Sequence, residues 1–187
     1  MRSIALLALG TAALSLGACS KQADTTVQNK SETTVVENFT PPVPVVSPGQ
    51  LFANAAASSD AFEIAASELA ETNSKSASVK AFAKQMVTAH TESTAKLKTA
   101  AMSAAPAITP DPSLTAEQSA KLTALQGLNG ADFDKAYVSA QVDAHQMTLD
   151  ALKDYSANGD VPELKTFASG LVPTVTAHLN MAKGLKP

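Results

Sequence analysis

Residues 76–102 read SASVKAFAKQMVTAHTESTAKLKTAAM. Val79, Phe82, Ala83, Met86, His90, Ser93, Leu97 and Ala101 recur at intervals of three or four in this stretch. At 3.6 residues per turn they share one face, so the spacing predicts a long helix with a single buried side. The face is apolar except at His90 and Ser93. A histidine on a core face needs a partner there, and that makes position 90 the first chemical question the chain poses.

The same period continues in both directions. Over roughly 50–73, Phe52, Ala55, Ser59, Phe62, Ala66 and Leu69 form a stripe, and the short link near Ser74 makes this helix and the 76–102 helix antiparallel partners. Pro106, Pro110 and Pro112 then interrupt the chain, because proline removes a backbone donor and pushes its predecessor out of the helical region. Thr115-Ala116-Glu117-Gln118 has the pattern of a capping box and opens a shorter helix carrying Leu122, Leu125 and Leu128, which ends within Gly127–Gly130. A third long helix is expected from about Ala131 to Ala157, with Phe133, Tyr137, Gln141, His145, Thr148, Leu152 and Tyr155 on its inner side. Asn158-Gly159 stops it. Asp160 is placed to cap the last helix, whose stripe runs through Leu164, Phe167, Ala168, Leu171, Val175, His178, Ala182 and Leu185. Pro173 should bend that helix. No strand alternation occurs in this part, so residues 50–187 are expected to form an all-α four-helix bundle with a short additional helix before the third long one.

The first 49 residues differ in kind. Met1–Ala18 carries one positive charge, Arg2, ahead of an uncharged apolar run, the layout of a secretory signal peptide. Leu16-Gly17-Ala18-Cys19 resembles the lipobox of bacterial lipoproteins, which implies cleavage before Cys19 and acylation of its thiol. Cys19 is the only cysteine, so no intramolecular disulfide accounts for it. Several acyl chains give stable anchoring where one does not, so the lipid bilayer is the expected partner of this end. Ser20 in the next position resembles the outer-membrane sorting pattern, with the domain then in the periplasm. The rest of 19–49 is Thr-rich and then proline-rich at Pro41, Pro42, Pro44 and Pro48, and reads as a flexible tether.

Composition narrows the function classes. Lys plus Arg total 14 against 17 Asp plus Glu, and Arg2 is the sole arginine, so the basic stripe of a nucleic-acid binder is missing. The absence of Trp argues against a platform for stacking sugars. No Ser or Cys stands at a recognisable spacing from a histidine, and the glycines form no phosphate cradle.

What remains is His90, His145 and His178, the only histidines, one on each of three long helices and each on or beside an apolar stripe. If they share one depth in the bundle, they can bind a single transition-metal ion (Zn, Cu, Ni or Fe), with a first-helix carboxylate, Glu63 or Glu68, completing the shell. If they do not, each is a core histidine bonded to a neighbour. Asp143, beside the turn of His145, reads as a solvated or supporting residue.

Several segments together resemble the domain of unknown function 4142 family over about Leu51–Leu185. These are Phe62-Glu63-Ile64 with Glu68-Leu69-Ala70, Val79-Lys80-Ala81-Phe82-Ala83 with Met86-Val87 and His90, Asp132–Val138 with His145, and Leu164–Ala168 with Leu171, Pro173 and His178. The resemblance implies a ferritin-like four-helix bundle in an outer-membrane lipoprotein, with Glu63 as the first-helix carboxylate and the three histidines as recurrent positions. Two departures matter. Ala89 stands where the family commonly has Asp. Val87, Val142 and Val175 lie three residues before the histidines, so the Glu-x-x-His pairs of a di-iron centre cannot form. The leading expectation is therefore a non-enzymatic envelope lipoprotein that binds a protein partner or a metal ion. A histidine-based redox or hydrolytic metalloenzyme and a purely structural envelope protein are the alternatives.

Overall fold

The computed structural model describes residues 46–186. Cys19, the signal segment and most of the expected tether lie outside the described residues. Five helices follow in order: α1 (Pro48–Asn73), α2 (Ala77–Ser103), α3 (Ala116–Gln126), α4 (Gly130–Asn158) and α5 (Pro162–Gly184). Among the described residues there is no strand, and no helix is long and apolar enough to cross a membrane.

Local chemistry sets the helix ends. The Ser47 hydroxyl accepts from the Gln50 amide at 3.1 Å and Pro48 occupies the first turn, so α1 begins inside the segment expected to be tether. Ser76 caps α2 in the same way. At α3 the capping box is complete: the Gln118 amide donates to Thr115 Oγ1 at 3.1 Å and the Thr115 amide donates to Gln118 Oε1 at 2.8 Å. Thr115→Ala should lower stability by about 1 kcal/mol, read from the midpoint of urea unfolding, and an unmoved midpoint would show that α3 is held by packing alone. Gly130 opens α4 at φ 59°, in the left-handed region where a side chain would be strained. The cap expected from Asp160 does not form. Val161 holds the N-cap position of α5, and Asp160 instead accepts the Tyr155 hydroxyl at 2.8 Å. The last helix runs unbroken through Pro173; Ser169, whose carbonyl loses its donor there, lies on the exposed side.

The four long helices form a square in which α1, α2, α5 and α4 are neighbours in turn, and α3 covers the α1–α4 side. The Gln50 side chain reaches the Thr109 carbonyl at 2.7 Å, so the chain leaving α2 sits at the start of α1. Asn73 donates to the Leu128 carbonyl at 3.0 Å, and the Ser74 hydroxyl donates to Asp134, so α4 starts where α1 ends. Residues 104–129 therefore travel the length of the bundle. Every neighbouring pair is antiparallel and one long crossover joins the halves, so the expected all-α bundle of four long helices with a short additional one is formed.

The core has two apolar compartments. One gathers Phe52, Ala53, Leu97, Leu152, Tyr155 and Leu164 toward the start of α1. The other gathers Phe62, Val79, Phe82, Met86, Phe133 and Tyr137 toward its end. Burying each of the large side chains stabilises the fold by about 1.5–3 kcal/mol. Between the compartments lies a belt of buried polar residues drawn from all four long helices: Asp60, Glu63, His90, Gln141, His145 and His178.

Candidate metal centre

Each imidazole is delivered by its helix stripe. All eight residues expected on the inner face of α2 are buried, including His90. His145 is only 1% exposed on α4 and His178 is 6% exposed on α5. One ring nitrogen from each histidine lies within 4.8 Å of the corresponding atoms of the other two. The ring centroids are 5.5 Å apart for His90–His145, 5.6 Å for His145–His178 and 6.1 Å for His90–His178. Residues distant in sequence thus meet at one depth.

Hydrogen bonds settle which nitrogens are engaged. His90 Nδ1 is 2.8 Å from Asp60 Oδ1, while Asp60 Oδ2 accepts the Thr94 hydroxyl at 3.2 Å. His145 Nδ1 is 2.9 Å from the Gln141 carbonyl. In the neutral form of each ring the Nδ1 proton has an acceptor, which leaves Nε2 with its lone pair. Neither His90 Nε2 nor His145 Nε2 has a hydrogen-bond partner, and His178 Nδ1 has none either. Buried polar atoms without partners are uncommon, since each costs about 1–3 kcal/mol. Three such atoms on rings whose centroids lie within 6.1 Å of one another make this belt the candidate site.

The carboxylates divide differently from the sequence expectation. Glu68 is exposed and points away from the belt. Glu63 is buried and both its oxygens lack hydrogen-bond partners, but it is not one of the three convergent donors. Its Oε1 lies 3.6 Å from His145 Nδ1, behind the ring, so the carboxylate placed in the metal shell stands outside that group of donors. Asp143 is exposed, as a solvated residue should be. Asp60 was not singled out by the sequence reading. Its spacing of three residues before Glu63 places both on one face of α1, a signal that was available.

Electrostatics follow from burial. Burial pushes His145 and His178 down to about 4, and the charge that His90 carries when protonated adds to the shift, so both are neutral at pH 7. Burial also disfavours the charged form of His90, but the Asp60 hydrogen bond and the charges of Glu63 and Asp60 outweigh it and raise the pKa. Burial lifts Glu63 to about 7, with His90 and the adjacent Gln141 amide holding it lower than burial alone would. That amide acts at a distance, since it makes no hydrogen bond of its own.

The site and fold together define a histidine-centred, single-crossover helical bundle. The chain belongs to the family described as Domain of unknown function (DUF4142), whose model matches residues 37–185. Among solved structures, CopM in the Cu(I)-bound form is similar in fold, with a TM-score of 0.56 and 17% sequence identity, over 75% of this chain and 95% of that one. No curated protein sequence matches significantly.

Proposed function

We propose that this protein is a metal-binding module that holds one transition-metal ion, copper first among the candidates, on His90, His145 and His178. The observation that carries the reading is the convergence of three buried imidazoles from three helices, each with a ring nitrogen that has no hydrogen-bond partner. Imidazole suits Zn, Cu, Fe and Ni, and copper stands at the top of the divalent affinity order. Metal–nitrogen bonds of about 2.0–2.1 Å would set three donors about 3.4 Å apart. Donors that already lie within 4.8 Å of one another are close to that spacing. The Cu(I)-bound form of CopM has the same bundle, which supports copper without assigning its ligands here. With the expected lipid anchor at Cys19, the module would stand at the outer membrane of a bacterial envelope, facing the periplasm.

The test is the metal content of purified chain carrying Cys19→Ser, so that the single thiol cannot bind the ion. After incubation with Cu(I), Zn, Ni or Fe(II) and desalting, one equivalent of copper is expected. Less than a tenth of an equivalent of every metal would end this reading and leave the histidines as core polar residues. Asp60 has a supporting part, since a carboxylate on the far nitrogen orients a histidine ligand and strengthens its donation. Asp60→Ala should weaken copper binding by about 10–100-fold, with partial recovery in Asp60→Asn, measured by chelator competition. Equal affinities in all three proteins would show that His90 needs no such support.

A further inference from the structure

A cavity of about 30 Å³ lies at the centre of the bundle, directly beside the histidines. His90, His178, Asp60 and Ser93 contribute to its wall, whereas His145 and Glu63 do not. A void of this size holds about one or two waters or a diatomic molecule. It is not closed off from solvent. A groove of about 680 Å³ runs between α2 and α5, and Phe167, Leu171 and Thr174 belong to both the groove and the cavity. On the opposite side, under α3, a smaller pocket of about 310 Å³ between α1, α3 and α4 shares Ala56, Thr148 and Leu152 with the cavity. The cavity is therefore approached from two sides, and the larger approach, past Thr174, ends at His90 and His178.

Three protein donors satisfy a trigonal ion and leave a tetrahedral one short by one ligand. Structural sites fill that fourth position with protein, and sites that act on small molecules keep it open. Of the two buried carboxylates beside the rings, Asp60 lines the cavity but is engaged with His90 Nδ1 at 2.8 Å and the Thr94 hydroxyl, and Glu63 lies on the Nδ1 side of His145 and outside the cavity wall. The cavity beside His90 and His178 is occupied by no side chain.

We infer that the ion held by His90, His145 and His178, as proposed above, keeps its fourth coordination position for one exogenous ligand of one or two heavy atoms, seated in this cavity and exchanged through the α2–α5 groove. The inference rests on the metal-binding reading. Ligands of this class include water, hydroxide, dioxygen and carbon monoxide, which match the volume of the cavity.

Carbon monoxide is the probe, because it binds Cu(I) only where a coordination position is free and reports through its own stretching vibration. The full chain carrying Cys19→Ser is loaded with Cu(I), its copper content is measured, and infrared spectra are taken under carbon monoxide. One C–O band at one equivalent is expected. Ser93→Val, which fills the cavity without touching a donor, should retain copper and lose at least nine-tenths of the band. Thr174→Leu, at the exposed mouth, should slow carbon monoxide uptake several-fold with copper content unchanged. Should Ser93→Val fail to fold, Ala56→Val fills the same cavity from α1 and is read in its place. Copper-loaded protein with no C–O band overturns the inference and leaves the metal-binding reading intact. So does a filled-cavity variant that binds carbon monoxide like the parent. Protein that takes up no copper overturns the inference, and refusal of Zn, Ni and Fe(II) as well ends the metal-binding reading; both results are visible before any gas is added.

Discussion

His145→Ala is expected to lose its copper, with affinity falling by more than about 100-fold. Replacing a residue behind a histidine ligand already costs up to that much, and here a donor itself is deleted. His145 is the most enclosed of the three histidines, and its ring is fixed by the bond from Nδ1 to the Gln141 carbonyl at 2.9 Å. No other histidine exists to replace it, and the single cysteine lies in the segment preceding the domain. The substitution also opens a void beside Phe82, so helicity and the unfolding midpoint should be recorded with the metal competition. A folded His145→Ala protein with parental copper affinity would place the ion elsewhere and return His145 to the core.

Glu63→Gln should change how stability depends on pH. The Glu63 pKa is raised from an ordinary 4.5 to about 7, so between these values the folded state holds a proton that the unfolded state has lost. Stability from this group is therefore present below pH 4.5 and declines as pH rises toward 7. Above that, the buried carboxylate costs about 3 kcal/mol. Glutamine carries no charge and avoids the cost. Metal-free Glu63→Gln should therefore gain up to about 3 kcal/mol over the parent at pH 8 relative to the difference at pH 5. His145 and His178 act in the opposite sense, with stability lost as pH falls from 6.5 to about 4, but they are present in both proteins and cancel in the comparison. Urea titrations of both proteins at the two pH values decide it, and parallel pH profiles would show that Glu63 is solvated. In the copper-loaded protein the sign should reverse. A cation 4–6 Å away favours the ionised carboxylate, so the charge that weakens the empty bundle strengthens the filled one.

The α2 stripe was fully legible in the sequence because it alternates large apolar residues with lysines and threonines. The positions of the histidines on three inner faces followed from the same periodicity. The α1 face was read less well. Ala55 is exposed and Ser59 only partly buried, whereas Ala53, Ala57, Asp60, Glu63 and Ser67 point inward. That helix packs against α2, α4 and α3, so small and polar residues are enclosed on a broad arc and apolar spacing marks its centre poorly. Asp60 was missed for this reason: an aspartate beside serines ordinarily belongs to a wet surface. The common depth of the three imidazoles depends on how the helices slide past one another. That register is set by the crossover and by contacts such as Ser74 to Asp134, which no single stripe encodes.

The belt that separates the two apolar compartments also has a mechanical consequence. Along this line the bundle gives up hydrophobic packing, and a chain with one cysteine has no covalent tie within the domain to compensate. An ion seated on His90, His145 and His178 would bind α2, α4 and α5 together at their weakest level. It would clasp positions far apart along the chain, so the unfolded ensemble loses the most freedom when the ion stays attached. Occupancy would then be felt as rigidity. Amides of the inner turns of α2 and α5 would exchange with solvent far more slowly in the loaded protein, and the bundle would report the metal supply of its compartment by how firmly it is closed.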